Sequence, residues 1–198
     1  RIIYFAPVFD STEAGRIGAE AKLERWTDSS GKLVGWKRSS PVKSQGQVLF
    51  LHGNAGCAVQ CGRYADVIQQ AAPLNVFFVE YPGYADHPGQ PTEKGLEKSA
   101  DEAFQLLTTG GPVYLVGESL GTGVATYLAG RHSNTVAGVV LLAPFSNLTD
   151  VAQAHARIIP VRPFLCERFP SDKNLSHYHG PVAMLVGGAD RVVPAKFG

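Results

Sequence analysis

The chain has 198 residues, enough for one domain with a full apolar core. Apolar residues make up 44% and charged residues 18%, the balance of an ordinary globular protein and not of a disordered tail. A formal net charge of +1 without a Lys/Arg cluster argues against a nucleic-acid partner, and no apolar run is long enough to cross a bilayer as a helix.

Pro7, Gly15 and Gly18 interrupt residues 1–18, where no long element is expected. Ala21–Trp26 alternates as a half-buried strand, Asp28–Gly31 signals a turn, and Leu33–Lys37 returns as the second arm of a hairpin. Val48–Leu51 is a continuous apolar strand followed by the Gly-rich loop His52-Gly53-Asn54-Ala55-Gly56. A helix is expected over Cys57–Ala72, then a buried strand at Val76–Val79 and a Pro/Gly-rich loop over Glu80–Pro91. Thr92 is placed to cap a helix whose apolar face is Leu96, Ala100, Ala103 and Leu107. Further strands are expected at Val113–Val116, Gly138–Leu142 and Val182–Val186, with helices from Leu120 and over Leu148–Arg157.

Strands alternating with helices across residues 47–190 specify a mostly parallel sheet with helices on both faces. The expectation is a single domain over residues 1–198, with residues 144–180 as a short cap segment. Ligands in such sheets bind at the carboxyl ends of the strands. Cys57 and Cys61, four residues apart on one helix face, are poorly placed for a bridge, and no second pair completes a metal site. Both read as core residues and Cys166 as an unpaired thiol, which points to a reducing compartment and a cytoplasmic location.

Gly117-Glu118-Ser119-Leu120-Gly121 joins a buried strand to a helix. A serine on that sharp turn is held in a strained backbone, needs small neighbours, and aims its hydroxyl toward the helix N-terminus, where anionic charge is stabilised. Ser119 is therefore the candidate nucleophile.

Together with His52–Gly56, the stretches Glu80-Tyr81-Pro82-Gly83-Tyr84, Pro91–Leu96, Ala143-Pro144-Phe145 and Asp190–Pro194 follow in an order that resembles the α/β-hydrolase superfamily. The resemblance is to its serine-hydrolase branch of esterases, lipases and thioesterases, and runs from about residue 20 onward. It implies cleavage of a small-molecule carboxylic ester or thioester through an acyl-enzyme on Ser119, without a metal or other cofactor. Backbone N–H groups of Asn54 and Leu120 would form the oxyanion hole, His52 would be structural, and Asp190 would orient the catalytic histidine, with Asp150 as reserve acid. Tyr81, Phe145, Ile158 and Phe164 are the candidate pocket residues. Other readings are a non-catalytic binding domain of the same fold and a serine peptidase.

The resemblance places the base histidine one strand beyond the acid, and no histidine follows Asp190. His177 and His179 precede the last strand, His155 belongs to the cap, and His132 ends the elbow helix roughly 20 Å from Ser119. Apart from the structural His52, only His87 lies on a carboxyl-side loop. The expectation is a protein that continues beyond Gly198 by about one strand and one helix, which would cover the apolar Val182–Val186 edge and supply the base.

Overall fold

A computed structural model describes residues 3–155, 166–190 and 192–198. Its centre is a seven-stranded sheet in the order β1-β2-β4-β3-β5-β6-β7. The strands are β1 (Glu24–Thr27), β2 (Leu33–Arg38), β3 (Gln47–Leu51), β4 (Asn75–Val79), β5 (Val113–Glu118), β6 (Val136–Leu142) and β7 (Val182–Leu185). β1 and β2 form an antiparallel hairpin that joins the sheet antiparallel to β4, whereas β4, β3, β5, β6 and β7 are mutually parallel. This is the mostly parallel sheet expected from the alternation of apolar strands and amphipathic helices, and the fold that the α/β-hydrolase resemblance implies. β3, flanked by β4 and β5, is buried at every position, which is why Val48–Leu51 reads as an unbroken apolar run.

The helices are α1 (Ser11–Glu20), α2 (Gly62–Ala71), α3 (Glu93–Leu107), α4 (Leu120–Arg131), α5 (Leu148–His155) and α6 (Ser171–Leu175). Thr92 caps α3 as expected, its hydroxyl accepting the Gly95 N–H at 3.0 Å. Leu96, Ala100, Ala103, Phe104 and Leu107 form the buried stripe of that helix. α4 is buried along most of its length and has no polar face, because it lies against β5 and β6 and is covered by α3 and α6. Gly123 and Gly130 let that cover approach, since a Cβ would meet the Phe169 ring at 2.8 Å and the Asn174 carbonyl oxygen at 2.3 Å.

Three local expectations are corrected. Residues 11–20 form α1, although two glycines suggested an interrupted segment. Asp10 caps it by accepting the N–H groups of Thr12 and Glu13, and Gly18 is the point where the Trp36 ring packs, a Cβ there falling 2.2 Å from a ring carbon. The first strand starts at Glu24 and not at Ala21, because Lys22 adopts φ +55° and turns the chain out of α1. The helix expected over Cys57–Ala72 is a 3-10 turn (Ala58–Cys61) followed by α2, with Cys57 in extended backbone ahead of it. Cys57 and Cys61 are buried free thiols and Cys166 is an exposed one. Burial pushes the Cys57 thiol up to about 12 and raises Cys61 as well.

β7 is one edge of the sheet, and all four of its residues are exposed. No strand lies beyond it among the described residues. No helix among them is long and apolar enough to cross a membrane.

Candidate active site

Ser119 stands between β5 and α4 at φ +49° and ψ −114°, a conformation that L residues rarely hold and that costs about 1–3 kcal/mol. The surrounding structure enforces it. The Ser119 N–H donates to the Leu142 carbonyl at 2.8 Å, and its own carbonyl accepts the N–H and hydroxyl of Thr122 at 2.9 and 2.6 Å. Gly117 and Gly121 are obligatory neighbours. A Cβ on Gly117 would lie 2.5 Å from the Gly121 carbonyl oxygen, and one on Gly121 would lie 1.9 Å from that of Leu51. The Ser119 side chain caps nothing in α4, so it does not occupy the first-turn amides that a helix leaves without internal partners, Leu120 N–H among them.

The loop after β3 runs alongside this turn. A Cβ on Gly53 would touch the Ser119 Cβ at 3.6 Å, so the two loops are in van der Waals reach. His52 is buried, with Nδ1 at 2.8 Å from the Gly53 carbonyl and Nε2 at 3.2 Å from Glu80 Oε1. The second approach is short in distance but poorly aligned, and neither atom completes a hydrogen bond there. Glu80 is held from its other oxygen, which accepts the Ala58 N–H at 3.1 Å. His52 is thus a buried member of the loop's support.

Tyr81 is corrected as a pocket residue. It is fully buried, its ring 4.2 Å from that of His52 and its hydroxyl donating to the His52 carbonyl at 3.4 Å. It packs against the His52–Gly56 loop and does not line the cavity at Ser119.

That cavity has a volume of about 240 Å³. Ser119, Leu120, Asn54 and Phe145 share it with Leu148, Val151 and Ala152 of α5, and with Val192 and Val193. Ile3 and Phe5 close its remaining side among the described residues. Among the described residues, no side chain carrying a formal charge lines it. Ile158 and Phe164, expected here, lie outside the described residues. Asp190 does not line the cavity but shapes it: Oδ1 accepts the N–H groups of Val192 and Val193 at 2.7 and 2.9 Å, which turns both valines toward the wall. Asp150 borders a separate depression with Asn147, Thr149 and Arg168.

Among the described side chains, no histidine lines the cavity. His132 pairs with Asp101 at 2.5 Å and stacks on Phe104 at the far end of α4. His87 directs Nδ1 to the Pro88 carbonyl at 2.9 Å and borders a cleft between the β1–β2 turn and α3. His177 and His179 lie between α6 and β7.

Residues 46–194 match the α/β hydrolase fold family. The chain belongs to that family. Within it, the chain is 33% identical over 204 residues to an uncharacterized protein of Mycobacterium tuberculosis, Rv2307c, covering 98% of this chain and 71% of that protein. It is 30% identical over 197 residues to the lysophosphatidylserine lipase ABHD12 of Danio rerio, covering 87% of this chain and 50% of the relative. The chain therefore spans about half the length of that lipase. Among solved α/β hydrolases, a Vibrio vulnificus structure superposes with a TM-score of 0.66 at 20% identity, covering 91% of this chain and 80% of the other. The monoacylglycerol lipase of Paleococcus ferrophilus superposes with a TM-score of 0.61 at 20% identity, covering 88% and 80%.

Sequence reasoning missed Ile3, Phe5, Leu148, Val151, Ala152, Val192 and Val193 as cavity residues. Leu148, Val151 and Ala152 carried a usable signal, because i, i+3 and i+4 spacing puts them on one helix face. Ile3 and Phe5 carried none, since no periodicity places an irregular terminal segment.

Proposed function

We propose that this α/β hydrolase cleaves carboxylic esters of monoacyl lipids or similar apolar acids through an acyl-enzyme on Ser119. The observation that carries the reading is the strained Ser119 turn, opening with Asn54 and Leu120 onto one apolar cavity. An ester enters with its apolar group among Phe145, Leu148, Val151 and Val193 and its carbonyl against Ser119. Oγ attacks the carbonyl carbon, and the oxyanion that forms is held by the N–H groups of Leu120 and Asn54. Collapse expels the alcohol and leaves an acyl-serine, which water then hydrolyses to the acid and free enzyme. A general base takes the Ser119 proton and passes it to the leaving alcohol, and Asp190 is the acid proposed to orient that base. The apolar lining and the lipase names among the relatives support an acyl chain over a peptide.

The test is hydrolysis of p-nitrophenyl esters and of a monoacylglycerol by the protein as its gene encodes it. Turnover that disappears in Ser119→Ala is the expected result. Turnover that survives that substitution, or a folded protein that cleaves none of these esters, contradicts the proposal.

A further inference from the structure

Ile3 and Phe5 bring into the cavity wall a segment, residues 3–9, that belongs to no named strand or helix and is laid across the carboxyl-side loops. It is fastened at three places. Asn54 grips its backbone from both sides: Oδ1 accepts the Phe5 N–H at 3.0 Å, and Nδ2 donates to the Ile3 carbonyl. The Tyr84 hydroxyl donates to the same Oδ1 at 2.9 Å, which holds the Asn54 amide in one orientation. The Tyr4 hydroxyl donates to Glu167 Oε2 at 2.8 Å, and Glu167 also accepts the Glu93 N–H at the start of α3. Glu93 returns the contact, its carboxylate accepting the N–H groups of Arg168 and Phe169 at 2.6 and 2.9 Å. Further along, Ala85 donates its N–H to the Pro7 carbonyl at 2.7 Å and accepts that of Phe9 at 3.2 Å.

Two features separate this arm from an ordinary packed loop. Phe5 borders the cavity yet is 68% exposed, so its ring stands at the mouth and is not spent on the core. Val192, across the lining, is 69% exposed. An apolar mouth leading into an apolar cavity matches a substrate whose chain extends outward past the rim. The second feature is Asn54 itself. The residue whose main-chain N–H is proposed to hold the oxyanion has its side chain committed to the arm.

We infer that the 3–9 arm is a working part of the ester site. Ile3 and Phe5 are specificity-determining residues for the substrate's acyl chain, and the Asn54 side chain is a positioning residue that couples the arm to the oxyanion loop. This rests on the reading of Ser119 as an ester-cleaving nucleophile. It commits to substrates with medium chains, which reach Phe5, over acetyl esters, which do not. Burial among Glu167, Glu93 and Tyr84 pushes the Tyr4 phenol upward, so it remains a hydrogen-bond donor to Glu167 at any working pH.

The experiment compares kcat and KM for p-nitrophenyl acetate and octanoate in the wild type, Phe5→Ala, Phe5→Pro and Asn54→Ala, with melting curves to establish folding. Phe5→Ala keeps the N–H and removes the ring, and should lower the octanoate-to-acetate ratio of kcat/KM about tenfold. Phe5→Pro also removes the N–H that Asn54 accepts, and should lower kcat on acetate roughly tenfold below Phe5→Ala. Asn54→Ala should show a similar kcat loss, and combining it with Phe5→Pro should add nothing beyond the larger single effect. An unchanged ratio in Phe5→Ala, or fully multiplicative losses in the double variant, overturns the inference. If the wild type cleaves no ester, the functional reading fails, and the arm is then tested by calorimetric binding of octanoate. Binding about tenfold weaker in Phe5→Ala retains the arm as an apolar-chain site, and equal binding removes it.

Discussion

Gly121→Ala is the substitution that most directly probes how the elbow is built. The added methyl would fall 1.9 Å from the Leu51 carbonyl oxygen, 2.5 Å from the Leu51 carbonyl carbon and 2.8 Å from the His52 oxygen. All three are main-chain atoms of β3 and the loop after it, so no side chain can swing away. Ordinary contact begins near 3.4 Å, which requires α4 and β3 to separate by about 1.5 Å (3.4 − 1.9). Overpacking of this kind costs about 3 kcal/mol or more. In a domain of this size that lowers the melting temperature by roughly 6–12 °C. The separation also moves Ser119 away from the Asn54 amide, and a misplacement of about 1 Å in a reacting geometry costs on the order of 10²-fold in rate. The assay is thermal melting together with the rate of fluorophosphonate labelling, measured well below the melting temperature so that only folded protein is scored. A variant that melts within 2 °C or labels within twofold of the wild type would refute the close-packed elbow.

Other consequences are equally concrete. Asp190→Asn keeps an oxygen for the Val192 and Val193 N–H groups but removes the charge, so ester turnover should fall by roughly 10²–10⁴-fold while the melting temperature changes little. Asp190→Ala should lose both. Burial beside Glu93 and Glu167 raises the Glu97 carboxyl from 4.5 to about 7. The folded state then holds a proton that the unfolded chain releases, so this group's contribution is complete below pH 4.5 and is lost as pH rises through about 7. Urea midpoints at pH 5 and pH 8 should differ less in Glu97→Gln than in the wild type; an unchanged difference would remove Glu97 from the explanation. Ellman's reagent should titrate Cys166 rapidly in the native protein and all three cysteines only after denaturation, because Cys57 and Cys61 are buried neutral thiols.

The parts of the structure readable from sequence were those governed by local pattern. β3, β4, β5 and β6 are apolar runs bounded by Gly or Pro, and α3 carries both its cap and its stripe in plain view. The strained turn at Ser119 was legible because only glycine fits at 117 and 121, and the structure supplies the reason in carbonyl oxygens 2.5 and 1.9 Å from the absent methyls. What stayed hidden depended on contacts remote in sequence. α1 was obscured by Gly18, which is present because Trp36 occupies the space a Cβ would take. Tyr81 sat in a loop next to the site, and nothing in that loop's composition distinguishes a ring facing the cavity from one packed against His52. The arm at residues 3–9 has neither helix nor strand periodicity; its position is set by Asn54, Tyr84 and Glu167, residues 49–163 positions away along the chain.

The central claim is that Ser119 is an activated nucleophile, and one measurement addresses it. The protein as its gene encodes it is treated with a fluorophosphonate, digested, and the adduct located by peptide mass spectrometry. The account predicts a single adduct on Ser119 that is absent after heat denaturation before labelling. A folded protein that forms no adduct, or forms it at another residue, would contradict it.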